Sequence, residues 1–146
     1  MTNNAYIGID LGTSGCRAIA IDEQQNIIAS HQLPLHSSSN TEQVADYHWQ
    51  IVELVLSQLI PQCQQYEINS IAVDATSGSV FLTDNQGRPL TPILMYNDSR
   101  AIEQSQNIAK VAPAESGAHG ASSGLSKLIY LQEHYKLASN SRLLHQ

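Results

Sequence analysis

The sequence predicts an α/β domain whose sheet opens with three antiparallel strands, and three features of the first half predict it. Apolar stretches at residues 5–9, 16–21 and 27–35 are separated only by Leu11-Gly12-Thr13-Ser14-Gly15 and by Asp22-Glu23-Gln24-Gln25-Asn26. Connections that short join antiparallel neighbours. From Trp49 the residues Trp49, Val52, Leu56, Leu59 and Cys63 recur at three- or four-residue steps, which is the period of a helix with one buried face. Residues 68–73 then alternate as a strand does, so the chain returns to a sheet after its first helix.

The remaining elements follow in order. Residues 36–43 are polar, with three consecutive serines and no periodicity, and read as an exposed loop. Asp46 is placed to cap the helix, Trp49 is expected in its core stripe and His48 in solvent, with Pro61 near the end. Residues 80–83 form another strand, Asn85-Gln86-Gly87-Arg88 a turn, and Ile93-Leu94-Met95-Tyr96 a buried strand. Ser99 is placed to cap a helix through Ile102, Ile108 and Val111 that stops before Pro113. Residues 112–124, rich in Ala, Gly and Ser, read as a loop. A last helix over residues 126–137 carries Leu128, Leu131 and Tyr135 on one face. Arg142-Leu143-Leu144-His145-Gln146 opens a further apolar segment, expected to continue past Gln146 in a longer, truncated domain.

Composition removes several classes of function. The chain has 146 residues, 42% of them hydrophobic, enough for one ordinary domain. Thirteen acidic side chains against 7 Lys and Arg give a net charge of -6, which repels a phosphate backbone, so nucleic acid is not an expected partner. None of the six histidines is spaced from another, or from a cysteine, as zinc ligands are. Cys16 and Cys63 are isolated thiols that suit a reducing cytoplasm. Residues 1–5 carry no basic stretch, and the apolar run after them is too short for a signal core or a membrane span.

The most informative stretch is Ile7-Gly8-Ile9-Asp10-Leu11-Gly12-Thr13-Ser14-Gly15-Cys16-Arg17. A carboxylate ends a buried strand, and a loop of hydroxyls bracketed by glycines follows. Gly12 and Gly15 can take positive φ and bring backbone N–H groups close to phosphate oxygens, and the Thr13 and Ser14 hydroxyls add donors. Asp10 would repel phosphate and is assigned instead to Mg²⁺, directly or through water. Arg17 can offset charge on a transferred phosphoryl group. With no Gly-Lys-Ser/Thr and a strand in place of a helix after it, the loop is neither a Walker A nor a Rossmann turn. The residues alone equally allow an ordinary hairpin turn, since Gly, Asp, Thr and Ser are common there.

The pattern Asp-x-Gly-Thr-Ser-x-x-Arg at Asp10 to Arg17 resembles the first phosphate motif of the FGGY carbohydrate kinases, members of the actin-like ATPase superfamily with its ribonuclease H-like, mixed-sheet domain. A second match runs from Ile71-Ala72-Val73-Asp74-Ala75-Thr76-Ser77-Gly78-Ser79 to Pro92-Ile93-Leu94-Met95-Tyr96-Asn97-Asp98-Ser99-Arg100, and a third from Ser122-Ser123-Gly124 into Lys127-Leu128-Ile129-Tyr130-Leu131. The resemblance implies ATP and Mg²⁺ at Asp10, Gly12, Thr13, Ser14 and Arg17, and a small sugar facing Thr76, Ser77 and Gly78. Tyr96, Asn97 and Asp98 either contact that sugar or, respectively, pack in the core and cap the next helix. Asp74 either meets a sugar hydroxyl or accepts N–H groups of its own turn, and Arg100 is expected to pair with a carboxylate.

Xylulose kinases of the family generally carry Gln-Met-His where this chain has Thr76-Ser77-Gly78, and glycerol kinases carry Gln-Arg-Glu. The Asp-x-Thr-Ser turn with Leu-x-Tyr-Asn-Asp is more similar to the ribulose-type branch. The resemblance places residues 1–146 in the N-terminal part of the first domain, with the catalytic base and the adenosine pocket beyond Gln146, and admits a homodimer. An actin-like ATP-binding module of filament or chaperone type, without sugar kinase activity, is the alternative from the same superfamily.

Overall fold

A computed structural model describes residues 3–36, 41–135 and 140–145. The chain divides into two compact units, Met1–His36 with Asp46–Thr76, and Ser37–Ala45 with Ser77–Gln146.

The first unit is a four-stranded mixed sheet with a helix against one face. Its strands are β1 (Asn3–Leu11), β2 (Gly15–Asp22), β3 (Ile27–Pro34) and β5 (Tyr66–Ala75), in the order β3-β2-β1-β5. The three opening strands are antiparallel as their short connections require, and β5 runs parallel to β1. Between β3 and β5 the chain forms helix α1 (Ala45–Leu59) and a short 3₁₀ turn, Ile60–Cys63, which supplies the crossover that a parallel partner needs. Side chains alternate across β1 and β2, so Ala5, Ile7, Ile9, Cys16, Ala18 and Ala20 face the core.

Against that face α1 sets Ile51, Val52, Val55 and Leu59, with Cys63 just beyond. Val55 and Leu59 are fully buried, and each such side chain contributes about 1.5–3 kcal/mol of transfer free energy. That fixes the rotation of the helix and corrects two expectations. Trp49 is 62% exposed and His48 only 3%. One helical step separates them, so turning Ile51, Val52, Val55 and Leu59 onto the sheet brings His48 inward and leaves Trp49 outside. Burial lowers the His48 pKa. Asp46 lies inside the first turn of α1 and not before it, where its charge still suits the helix dipole.

The second unit holds an antiparallel sheet, β4 (Glu42–Gln43), β7 (Ile93–Leu94), β6 (Val80–Thr83) and β8 (Arg142–His145), in that spatial order, with helices α2 (Ile102–Ala109) and α3 (Gly124–His134). Leu82, Leu94 and Leu131 form its core, with Leu128, Tyr130, Tyr135 and Leu143 packed on them. The expected face of the last helix is therefore the buried one. Its start lies two residues earlier than the apolar pattern suggests, because the Ser123 hydroxyl accepts the Ser126 N–H at 3.1 Å and caps it.

Three expectations change in this unit. Glu42 and Gln43, read as loop, pair with β7, and residues 37–40 of that loop lie outside the described residues. Ser99 does not cap α2, whose N-cap is Ala101 with no side-chain bond. The α2 pattern overran, since Val111 is 84% exposed beyond the helix end. Residues 136–139 and Gln146 also fall outside the description, so the far end of the last expected helix does too.

Candidate functional site

Each unit presents one group of the residues singled out above. In the first unit, β1 ends at Asp10-Leu11 and turns through Gly12-Thr13-Ser14 into β2. Strand register sets Asp10 opposite Arg17 on β2 and opposite Asp74 on β5, and sets Arg17 opposite Gln32 on β3. Gln32, Arg17, Asp10 and Asp74 thus form one polar row across four strands on the face away from α1. Arg17 Nε donates to Gln32 Oε1 at 3.1 Å, and the Ala75 N–H donates to Asp74 Oδ1 at 3.0 Å, so Asp74 does accept from its own turn.

The loop itself is pinned at both ends. Gly12 N donates to Gly15 O at 2.9 Å, Leu35 N to Ser14 O at 2.9 Å, and Thr76 N to Leu11 O at 3.3 Å. Thr13 and Ser14 are exposed, and among the described residues neither backbone amide has an acceptor. A cleft of about 360 Å³ opens here, with Asp10, Gly12, Ser14, Arg17 and Gln32 in its wall. The donor set therefore suits an anion held by free amides and hydroxyls, with a carboxylate beside it for a cation.

The glycines act differently from expectation. Positive φ occurs at Gly78, Gly87 and Gly120 and not at Gly12 or Gly15. Gly15 is required for space: a Cβ there would stand 2.9 Å from Leu33 O, because β3 passes directly behind the loop. Cys16, buried next to it, has its thiol pKa raised by burial and then by the Asp10 charge, which keeps it protonated and unreactive.

In the second unit the turn at Gly78 (φ 80°) leads into buried Ser79, whose Oγ accepts the Tyr96 N–H at 3.2 Å. Tyr96 is 50% exposed and Asn97 is exposed. Tyr96 is thus not a core residue. Asp98 points inward and is 2% exposed, and Arg100 grips it through Nε at 3.0 and 2.9 Å and Nη2 at 2.7 Å. Arg100 Nη1 also reaches Glu42 at 2.8 Å, and its guanidinium lies 5.8 Å from the Tyr130 ring centroid. The pairing expected for Arg100 is present, and the Asp98 carboxylate pushes the guanidinium pKa up.

Replacing Arg100 by methionine is expected to destabilise the chain by about 2–4 kcal/mol, because it strands a buried carboxylate. Glu42→Gln is expected to cost less than about 1 kcal/mol, since that partner is 40% exposed. Thermal unfolding of the two variants checks the order.

Sequence reading passed over Lys127 except as part of a motif. It is fully buried on α3, and its Nζ donates to Gly78 O at 2.8 Å, Met95 O at 2.7 Å and Tyr96 O at 3.3 Å. Burial lowers its pKa, and the Asp98 charge works against that. The available signal was a lone cation beside Leu128 and Leu131 on an otherwise apolar helical face.

The mixed sheet with its crossover helix, and the solved structures that share it, give this chain the α/β fold of the actin-like ATPases. The chain belongs to the FGGY family of carbohydrate kinases, whose N-terminal domain model matches residues 5–136. The xylulose kinase of Escherichia coli (strain K12) is 30% identical over 103 residues, 68% of this chain and 21% of its own length. The apulose kinase of Pectobacterium atrosepticum is 28% identical over 119 residues, 78% of this chain and 24% of its own. Among solved structures, the xyloylose kinase from Brucella ovis superposes with a TM-score of 0.78 at 25% identity, covering 89% of this chain and 29% of that one. This chain thus spans less than a third of the length of these relatives. Among the described residues, no helix is long and apolar enough to cross a membrane.

Proposed function

We propose that this chain is the N-terminal part of the first domain of a cytoplasmic kinase that transfers the γ-phosphoryl group of ATP to a hydroxyl of a small sugar, a ketopentose such as D-ribulose or xylulose. One observation carries the reading: the exposed Thr13-Ser14 amides and hydroxyls, unspent among the described residues, sit beside the Asp10 carboxylate at the end of β1. Bound ATP with Mg²⁺ supplies the phosphoryl group and much of the charge neutralisation.

The Thr13 and Ser14 amides and hydroxyls hold phosphate oxygens, with Gly12 N spent on closing the loop at Gly15 O, while Asp10 holds the cation and Arg17 faces the developing charge. In the second unit Ser77 and Gly78, with Tyr96 and Asn97, face the sugar. Asp98, buried and paired with Arg100, does not face outward with them. A carboxylate beside a metal is a poor base, so the sugar proton is not assigned to Asp10. Support for a ketopentose comes from the names of the relatives, and the Thr76-Ser77-Gly78 turn favours the ribulose type.

ATP turnover by the whole protein, measured across ketopentoses, other sugars and glycerol, tests this. Turnover is expected to rise with a ketopentose and to stay low without one. Turnover indifferent to every sugar and polyol would leave an ATP-binding module of filament or chaperone type.

A further inference from the structure

We infer that Lys127 is a positioning residue for the sugar-facing surface of the second unit: its ammonium group ties the Gly78 turn to the Met95-Tyr96 segment and sets the placement of both. The inference rests on the kinase reading for its functional consequence, and on geometry alone for the tie.

An ammonium group has three protons and no acceptor capacity. The three carbonyls of Gly78, Met95 and Tyr96 use all of them. Among the described residues, no carboxylate lies within ion-pairing distance of Nζ. Burying a cation without a direct counterion is costly, and an apolar side chain of the same length would fill the space more cheaply. The carbonyls explain why a lysine stands there instead: without a common donor the Gly78 and Tyr96 oxygens lose their partner, and Met95 O keeps only the Asp98 N–H at 2.9 Å.

Gly78 is part of the same device. Its φ of 80° is one that side-chain-bearing residues rarely adopt, and in that conformation its carbonyl meets Nζ at 2.8 Å. The Ser79–Tyr96 bond at 3.2 Å is the second tie between the two segments. Lys127 reaches them from α3, 49 residues after Gly78 and 31 after Tyr96. Ser77, Tyr96 and Asn97, the groups left facing outward, therefore owe their relative placement to a side chain that is itself fully buried. A displacement of about 1 Å in such groups is enough to reduce productive binding strongly.

The test uses the whole protein and Lys127→Met, which keeps length and removes the donors. The KM for the ketopentose is expected to rise about tenfold or more while the KM for ATP stays within about twofold, given the cost of unpaired buried carbonyls. Amide exchange at Tyr96, whose N–H is held by Ser79 Oγ, is expected to quicken by at least about tenfold on the same grounds. Should Lys127→Met fail to fold, Lys127→Gln retains a donor and is measured the same way. In the wild-type protein, acetic anhydride is expected to acylate exposed Lys110 well before Lys127.

Unchanged sugar KM and unchanged exchange would overturn the inference, as would equal shifts in both KM values or acylation of Lys127 as fast as Lys110. A wild-type protein without sugar-dependent turnover sinks the kinase reading instead, and leaves exchange and acylation to decide the tie.

Discussion

Asp10→Asn in the whole protein is expected to lower kcat for sugar phosphorylation by about 100-fold or more, through loss of the charge assigned to the cation beside the phosphates. The substitution conserves shape, and the residue is exposed at the end of β1, so stability should change by no more than about 0.5 kcal/mol. Asp74→Asn provides the contrast. It lies opposite Asp10 in the sheet but already accepts the Ala75 N–H, and is expected to lower kcat by less than about tenfold. Steady-state kinetics over a range of Mg²⁺ concentrations separates the two, with the Asp10 defect deepest at low Mg²⁺. An Asp10→Asn enzyme within twofold of the wild type would remove the metal from that position.

The second large effect is expected from Gly15→Val. Its Cβ would meet Leu33 O at 2.9 Å, and Leu33 cannot swing aside because it pairs with Cys16 across β2 and β3. The two strands must separate where the loop is anchored, at a cost of about 2–4 kcal/mol. Nucleotide affinity should fall with it, since Leu35 N holds Ser14 O just beyond that point. Gly12→Ala is the control: its Cβ would reach only ordinary contact, 3.6 Å from Gly15 O, and stability should change by less than about 1 kcal/mol. Chemical denaturation of both variants reads the difference directly.

Much of the fold was legible because it rests on local signals. Short turns at Gly12–Gly15 and Asp22–Asn26 dictate antiparallel strands, and the alternation of β1 and β2 was visible in Ile7, Ile9, Cys16 and Ala18. The misses come from tertiary choices that a single segment does not contain. Trp49 and Ile51 compete for the inner face of α1, and only packing against the sheet opposite decides between them. Glu42 and Gln43 look like loop until β7, some 50 residues later, offers them an edge to pair with.

The candidate sites divide in the same way. That Asp10, Gly12, Thr13, Ser14 and Arg17 come together at one turn was readable, because a strand end and a short connection fix where those groups go. The reason for Gly15 was not, since it depends on the passage of Leu33 behind it. Nor was the inward turn of Asp98, which required Arg100 and Glu42 to be brought together from 58 residues apart. Lys127 was the hardest to read, because its partners are backbone carbonyls, which leave no mark in a sequence.

The most direct measurement is a crystal structure of the whole protein with Mg²⁺ and a non-hydrolysable ATP analogue. The triphosphate is expected within hydrogen-bonding reach of the Thr13 and Ser14 amides, with the cation on Asp10 directly or through one water. Phosphates bound elsewhere, with those amides still facing solvent, would contradict the assignment of this loop.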